Sequence, residues 1–282
     1  SDSHPIAPRK MWERIIKASH PKPTAAINMF LKVKDSSGVK MKLPMVNTVI
    51  TEKSSGKDPK VFLPELIAEG KLSFIQMIKN LNDLLTCDLE TQSWVIQELH
   101  NVEKIKRSKV MISNYLNAIK EHSDPRIVSG LDNAFKIMTS SYIPDGMDEN
   151  IGIYIDGTCS MNKNNLLSKA LAIGFAIYQK YPNTEIIIIN DTIQPINIEN
   201  LKDCIIEDCA VEYRTTIGLT ATPDTSSYNH VIWISDNSSW VNIFKGEHKL
   251  TYIDLTGQLY YDPEVTYMPG SEYMNLELIN GY

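Results

Sequence analysis

Cysteine is scarce. Four occur in 282 residues, at 87, 159, 204 and 209, and none forms a Cys-x-x-Cys pair. That spacing excludes zinc-like pairing of the Cys-x-x-Cys type, and with Cys87 isolated from the rest it points to free thiols in a reducing compartment. Missing too is any apolar run near the about 20 residues that a membrane span requires, so a soluble chain with no membrane partner is expected. The N-terminal Ser1-Asp-Ser-His-Pro has neither the charged nor the apolar region of a secretory signal, which points to a cytoplasmic protein. No local motif suggests a Ser-His-Asp or Cys-His arrangement, so a non-enzymatic role is expected.

Positive charge is in short supply overall, with 28 Lys+Arg against 34 Asp+Glu, but it is unevenly spread. Residues 1–149 carry 21 basic and 18 acidic side chains, residues 150–282 carry 7 and 16, and the first 60 residues alone hold 12 and 5. A polyanion would meet the front half. A solvated lysine-rich surface is the competing reading of the same counts.

The front half reads as helices joined by polar loops. Met11–Ser19, Leu63–Ala68, Ser73–Leu85, Glu90–His100, Ser113–His122 and Pro125–Ser140 show apolar residues at three- and four-residue spacing. The polar, glycine-bearing stretch 34–60 predicts a long surface loop or hairpin. Turn residues cluster in Ile143-Pro-Asp-Gly-Met-Asp-Glu-Asn150, where the periodicity changes. This divides the chain into a helical domain, 1–149, and a second domain, 150–282.

In the second domain short apolar runs alternate with helical ones: Ile151–Asp156, the helix that follows it, Glu185–Asn190, Thr192–Ile196, Glu199–Asp208, Val231–Asp236, Lys249–Leu255 and a final helix, Ser271–Ile279. Such alternation implies α/β structure with a mostly parallel sheet covered on both faces. Its strand ends carry chemistry. The run Ile151-Gly-Ile-Tyr-Ile-Asp156-Gly-Thr158-Cys-Ser160 stops at a carboxylate followed by two hydroxyls at alternate positions, and Val231-Ile-Trp-Ile-Ser-Asp236 ends in a second carboxylate. Between them lies the hydroxyl-rich stretch 218–227. Two strand-end carboxylates with hydroxyls make a hard-oxygen site suited to Mg2+ or another divalent cation. Helix capping by Asp156 and Ser160 is the structural alternative. A haloacid dehalogenase-type phosphatase also ends a strand in Asp-Gly-Thr, but its nucleophilic Asp would fall at Tyr154.

The pattern Asp156-x-Thr158-x-Ser160, a threonine loop and Asp236 resembles the metal-ion-dependent adhesion site of von Willebrand factor A domains. The family's middle Ser is Thr158 here, and its Gly-Gly-Thr-Asp run appears as Leu219-Thr-Ala-Thr222-Pro-Asp224, so Thr222 is the loop ligand implied, with Thr220 as the alternative. The resemblance implies a Rossmann-like domain in which one metal position is left to an acidic group on a protein partner. In the front half, Ile15-Ile-Lys17-Ala-Ser-His20-Pro-Lys22-Pro, Glu69-Gly-Lys71-Leu-Ser-Phe-Ile-Gln-Met-Ile-Lys79-Asn80-Leu and the turn Asn101-Val-Glu-Lys104-Ile-Lys106-Arg107-Ser-Lys109-Val resemble segments of the TROVE module of Ro ribonucleoproteins. That module consists of HEAT-like helical repeats closed into a ring by an adjoining von Willebrand factor A domain. The repeats that would complete a ring have no counterpart in this sequence, so a fragment or cleavage product, another copy or partner that supplies the missing arc, or an open form is expected.

This second resemblance implies binding of small structured or misfolded RNA. Lys17, His20 and Lys22 are the first residues to carry over, followed by Lys79, Asn80, Lys104, Lys106, Arg107 and Lys109, since cations neutralise phosphates while His and Asn orient nucleotides. A structural or assembly protein, for instance in a virion, that uses the metal-site domain for contacts is the rival expectation.

Overall fold

The computed structural model describes residues 49–108, 110–140, 143, 145–146, 150–205, 219–256 and 261–269. The expected helices Met11–Ser19 and Ser271–Ile279, and the positions Lys17, His20, Lys22 and Lys109, lie outside the described residues. By internal contacts the chain forms two compact units, Ser1–Lys57 and Asp58–Tyr282. Of the first, the description covers helix α1 (Val49–Ser54) and the turn after it, so the stretch 34–60 expected as loop is helical in part.

Helix α2 (Pro59–Ala68) starts four residues before the apolar spacing suggested. Its start is set by polar chemistry: the Asp58 carboxylate accepts the Lys60 amide at 2.9 Å, and Pro59 occupies the first turn, where its missing N–H costs nothing. The single helix expected over 73–85 is two, α3 (Phe74–Lys79) and α4 (Leu81–Leu85). They are separated at Asn80, whose φ of −120° and ψ of 23° leave the helical region. Helix α5 spans Leu89–Glu98. The segment Val102–Arg107, expected as a turn, is helix α6, because the Asn101 side chain accepts the Lys104 amide at 3.2 Å and so caps it. Helices α7 (Ile112–Glu121) and α8 (Pro125–Ser140) complete the layer.

Among the described residues the sheet has six strands: β1 (Ile151–Asp156), β2 (Glu185–Ile189), β3 (Ile193–Ile196), β4 (His230–Ser235), β5 (Lys249–Asp254) and β6 (Val265–Pro269). Their order is β3-β2-β1-β4-β5-β6, and all pairs are parallel except β2 with β3. β6 carried no expectation from sequence. β1 and β4 are buried along their whole length, which explains their unbroken apolar runs. Helix α9 (Leu166–Lys180) covers one face, with Gly174 beside Ile155 and Ile186. On the other face Tyr154, Ile187, Trp233 and Tyr252 share a core with Phe244, whose ring stacks on Trp233 at 4.5 Å. Phe244 belongs to a 3-10 helix, Ser238–Phe244.

Helical layer and sheet share packing. Phe135 of α8 stacks on Phe175 of α9 at 6.3 Å, and Tyr115 of α7 meets Phe135 edge-on at 5.6 Å. The Asp132 carboxylate of α8 accepts the Leu201 amide at 2.9 Å. Among the described residues no helix is long and apolar enough to cross a membrane.

Candidate functional site

The strand order reverses between β1 and β4, and in open parallel sheets the crevice beyond the carboxyl ends of such a pair is where ligands sit. β1 ends at Asp156, which is 1% exposed. Gly157 follows, its amide donating to Ile189 O at 2.8 Å. A Cβ at 157 would fall 2.6 Å from Ile188 Cγ2, so the turn that aims the next residues into the crevice requires glycine there.

Four of the five expected metal ligands converge. The Thr158 amide donates to Asp156 Oδ1 at 2.8 Å, the Thr158 and Ser160 hydroxyls lie 3.1 Å apart, and Ser160 Oγ donates to Asp236 Oδ1 at 2.9 Å. Capping of a helix by Asp156 does not account for this, because its acceptors face a loop amide and a hydroxyl from β4. The cluster grades from buried Asp156 and Thr158 to half-buried Ser160 and Asp236, so it opens on one side. Burial raises the Asp156 carboxyl above its usual range; its hydrogen bonds from Ser235 and Thr158 oppose that rise, and the charge of Asp236 adds to it. Two carboxylates crowded in this way favour a cation between them.

The fifth, Thr222, stands apart. Its loop is tied back through Thr220 and Ala221 amides, which donate to Asn190 O at 3.2 and 3.3 Å, and both Thr220 and Thr222 are exposed. Among the described hydrogen bonds none joins either hydroxyl to the cluster.

Two residues of the site escaped the sequence reading. Ser235 donates to Asp156 Oδ2 at 2.5 Å and accepts the Asn237 amide at 3.0 Å, so it clamps β1 to β4. Asp254, fully buried at the end of β5 beside Ser235, accepts from Thr256 N and Thr256 Oγ1 at 2.8 Å each and from Tyr267 OH at 3.1 Å. Thr256 Oγ1 lies 3.3 Å from Asp236 O. The signal was available: Tyr252-Ile-Asp254 repeats the motif of an apolar strand ending in a carboxylate. Among the described residues no group of three or more His, Cys, Asp or Glu side chains is placed to hold a metal, so any ion here would rest on two carboxylates, hydroxyls and water. That donor set is hard oxygen throughout and suits magnesium.

Those expected RNA ligands that are described lie elsewhere, on the helical layer. Lys79 is exposed at the end of α3. Asn80 is 8% exposed and donates to Gln76 O at 2.7 Å, so its amide serves the helix end rather than an exposed contact surface. On α6, Ile105 is buried while Lys104, Lys106 and Arg107 fan over the solvent side. Lys104 pairs with Glu98 at 2.7 Å and Arg107 with Glu103 at 3.5 Å. Among the described residues Lys106 has no acidic partner.

A layer of helices packed on an open, mostly parallel sheet, with carboxylates and hydroxyls gathered where the strand order reverses, defines the architectural class. The TROVE domain model matches residues 2–169, so the chain belongs to the TROVE family. That match runs through β1, Asp156 and Ser160 into the first turn of α9. Among solved structures the chain is similar to the Ro (RSR) protein of Deinococcus radiodurans, at 15% identity and a TM-score of 0.52, covering 95% of this chain and 70% of that one. This is a likeness of fold. A search of curated proteins finds no match.

Proposed function

We propose that the chain is a non-enzymatic, cytoplasmic RNA-binding protein of the Ro type. In this reading a HEAT-like helical domain over 1–149 takes small structured or misfolded RNA, and a von Willebrand factor A-like domain over 150–282 closes the architecture or docks a partner. The observation that carries it is the TROVE match over residues 2–169, which spans both the Ser19-His20-Pro21-Lys22 segment and the basic helix α6. Lys17, Lys22, Lys79, Lys106 and Lys109 are assigned to phosphates, with Lys104 and Arg107 partly neutralised by their glutamates, and His20 is assigned to a nucleotide.

For the second domain, Asp156, Ser160 and Asp236 would hold a divalent cation, with Thr158 orienting Ser160, and the ion would supply attraction for an acidic group on a protein partner. Ser235 keeps Asp156 in place, and the Asp254–Thr256 turn braces the backbone at Asp236.

RNA binding is tested by titrating a structured RNA bearing a single-stranded 3′ end at several salt concentrations. Neutralised phosphates release counterions, so affinity should fall steeply with salt, and Lys22→Ala should lower the log–log slope by about one unit for all RNA sequences alike. His20→Ser should weaken binding with little change in slope, since a neutral imidazole releases no counterion. Binding that is undetectable at physiological salt would instead support the structural or assembly role.

A further inference from the structure

The largest side chain of α5 stands outside the core. Val95 beside it and Leu99 just past the helix end are fully buried, whereas Trp94 is half-buried. Among the described residues its indole N–H has no hydrogen-bond partner, and unlike that of Trp233 it is not sealed from solvent. Lys104, from α6, places its ammonium 6.0 Å from the centre of the Trp94 ring, at the outer limit of a cation–π contact, so the lysine stands off the ring and does not cover it. Glu98, one turn beyond Trp94 on α5, holds that ammonium at 2.7 Å. Lys106 and Arg107 follow on the solvent side of α6. Residues 94–109 include four basic and two acidic side chains, in a chain where acidic ones outnumber basic ones by 34 to 28.

An indole with a cation beside it suits an unpaired nucleotide. A base of any identity stacks on an aromatic ring through its π-face, while the cation meets the neighbouring phosphate. Duplex RNA would use the cations and leave the indole idle, since its bases are stacked on one another. An acidic peptide would do the same. We infer that Trp94 is a stacking platform for one unpaired RNA base, with Lys104 beside it for the adjacent phosphate and Glu98 as the residue that positions Lys104. This inference rests on the RNA-binding reading proposed above and narrows its ligand, at α5 and α6, to a single-stranded segment.

A hairpin RNA with a single-stranded 3′ tail is titrated into the full chain in two forms, one with adenine bases along the tail and one with abasic riboses there. The phosphates are the same and only the bases differ. The proteins are the parent, Trp94→Leu, Trp94→Phe and Lys106→Ala. The parent should bind the adenine tail about tenfold more tightly than the abasic one. Trp94→Leu should bind both tails alike, at the parent's affinity for the abasic tail, and Trp94→Phe, which keeps a ring, should recover most of the preference. Stacking releases no counterion, so the log–log salt slope should be unchanged in Trp94→Leu and lower by about one unit in Lys106→Ala. The ratio of the two affinities within one protein cancels any loss of folded fraction, which keeps the test sound should Trp94→Leu be less stable. If Trp94→Leu prefers the adenine tail as strongly as the parent does, the stack lies elsewhere and the inference is overturned while the RNA-binding reading stands. The same holds if the parent binds both tails equally. A parent that binds neither tail overturns both.

Discussion

Asp156 is held ready to charge but is penalised for doing so. With burial and the Asp236 carboxylate both raising its pKa, the folded state binds its proton more tightly than the unfolded chain does. Stability from this group is therefore present below the ordinary carboxylate range and is lost as pH rises through the folded value. A divalent ion would reverse that loss. Asp156→Asn should accordingly leave ion-free stability equal to or above that of the parent by up to about 1 kcal/mol, while abolishing any rise in melting temperature with magnesium. If magnesium raises the midpoint of Asp156→Asn as much as that of the parent, Asp156 is not a ligand. At the opposite end of the same sheet, His230 is fully buried with Nε2 2.8 Å from Thr251 Oγ1 and, among the described residues, no partner for Nδ1. Burial, with Lys249 and His248 nearby, lowers its pKa to about 4. The sign is opposite to that of Asp156: stability is complete above the unfolded value near pH 6.5 and is lost as pH falls towards 4. The loss amounts to about 3 kcal/mol over that window. Denaturant titrations between pH 7 and 4 should show His230→Gln flattening the acid limb; a slope unchanged from the parent would mean that another group carries it.

Elements differ in how plainly the sequence announces them. Strands β1, β2, β4 and β5 are legible because a strand buried on both faces is mostly apolar, and the crevice is legible because each run stops at a polar residue. The short elements are not. α6 has a single buried apolar residue, Ile105, so periodicity has nothing to register, and only the Asn101 cap marks its start. Asn80 divides α3 from α4 by backbone conformation, which leaves the apolar spacing across the break intact. β6 offers Val265, Tyr267 and Met268 in a segment too short to separate from loop. Because α6 rests on its cap, Asn101→Ala should cost about 1 kcal/mol in urea unfolding and Asn101→Asp almost nothing. Equal losses from both would point to packing rather than capping. The pairing on this helix carries its own consequence. Lys106, without an acidic partner among the described residues, should lower the salt slope of RNA binding by about one unit when changed to Ala. Arg107→Ala should lower it by less, since Glu103 already offsets part of its charge.

At the scale of the molecule, the junction between helices and sheet matters more than either alone. The sequence divides where periodicity changes, yet the region Asp58–Tyr282 forms one compact unit, because α8 and α9 stack Phe135 on Phe175 and Asp132 reaches across to the Leu201 amide. A boundary read from pattern need not be a boundary in stability. Lys136 strengthens the seam, pairing with Asp132 at 2.9 Å while lying 5.7 Å from the centre of the Phe175 ring. If the seam is as continuous as this packing implies, helices and sheet unfold together. Native-state hydrogen exchange should then give the slowest amides of α8 and those of β4 the same opening free energy within about 1 kcal/mol. Phe175→Ala, which empties the stack, should lower global stability by about 3–5 kcal/mol and reduce both sets of amides alike. Sheet amides that remain several kcal/mol better protected than helix amides, in parent or variant, would show two independently folding parts. In that case the crevice and the basic helices would be joined by the chain and not by a shared core.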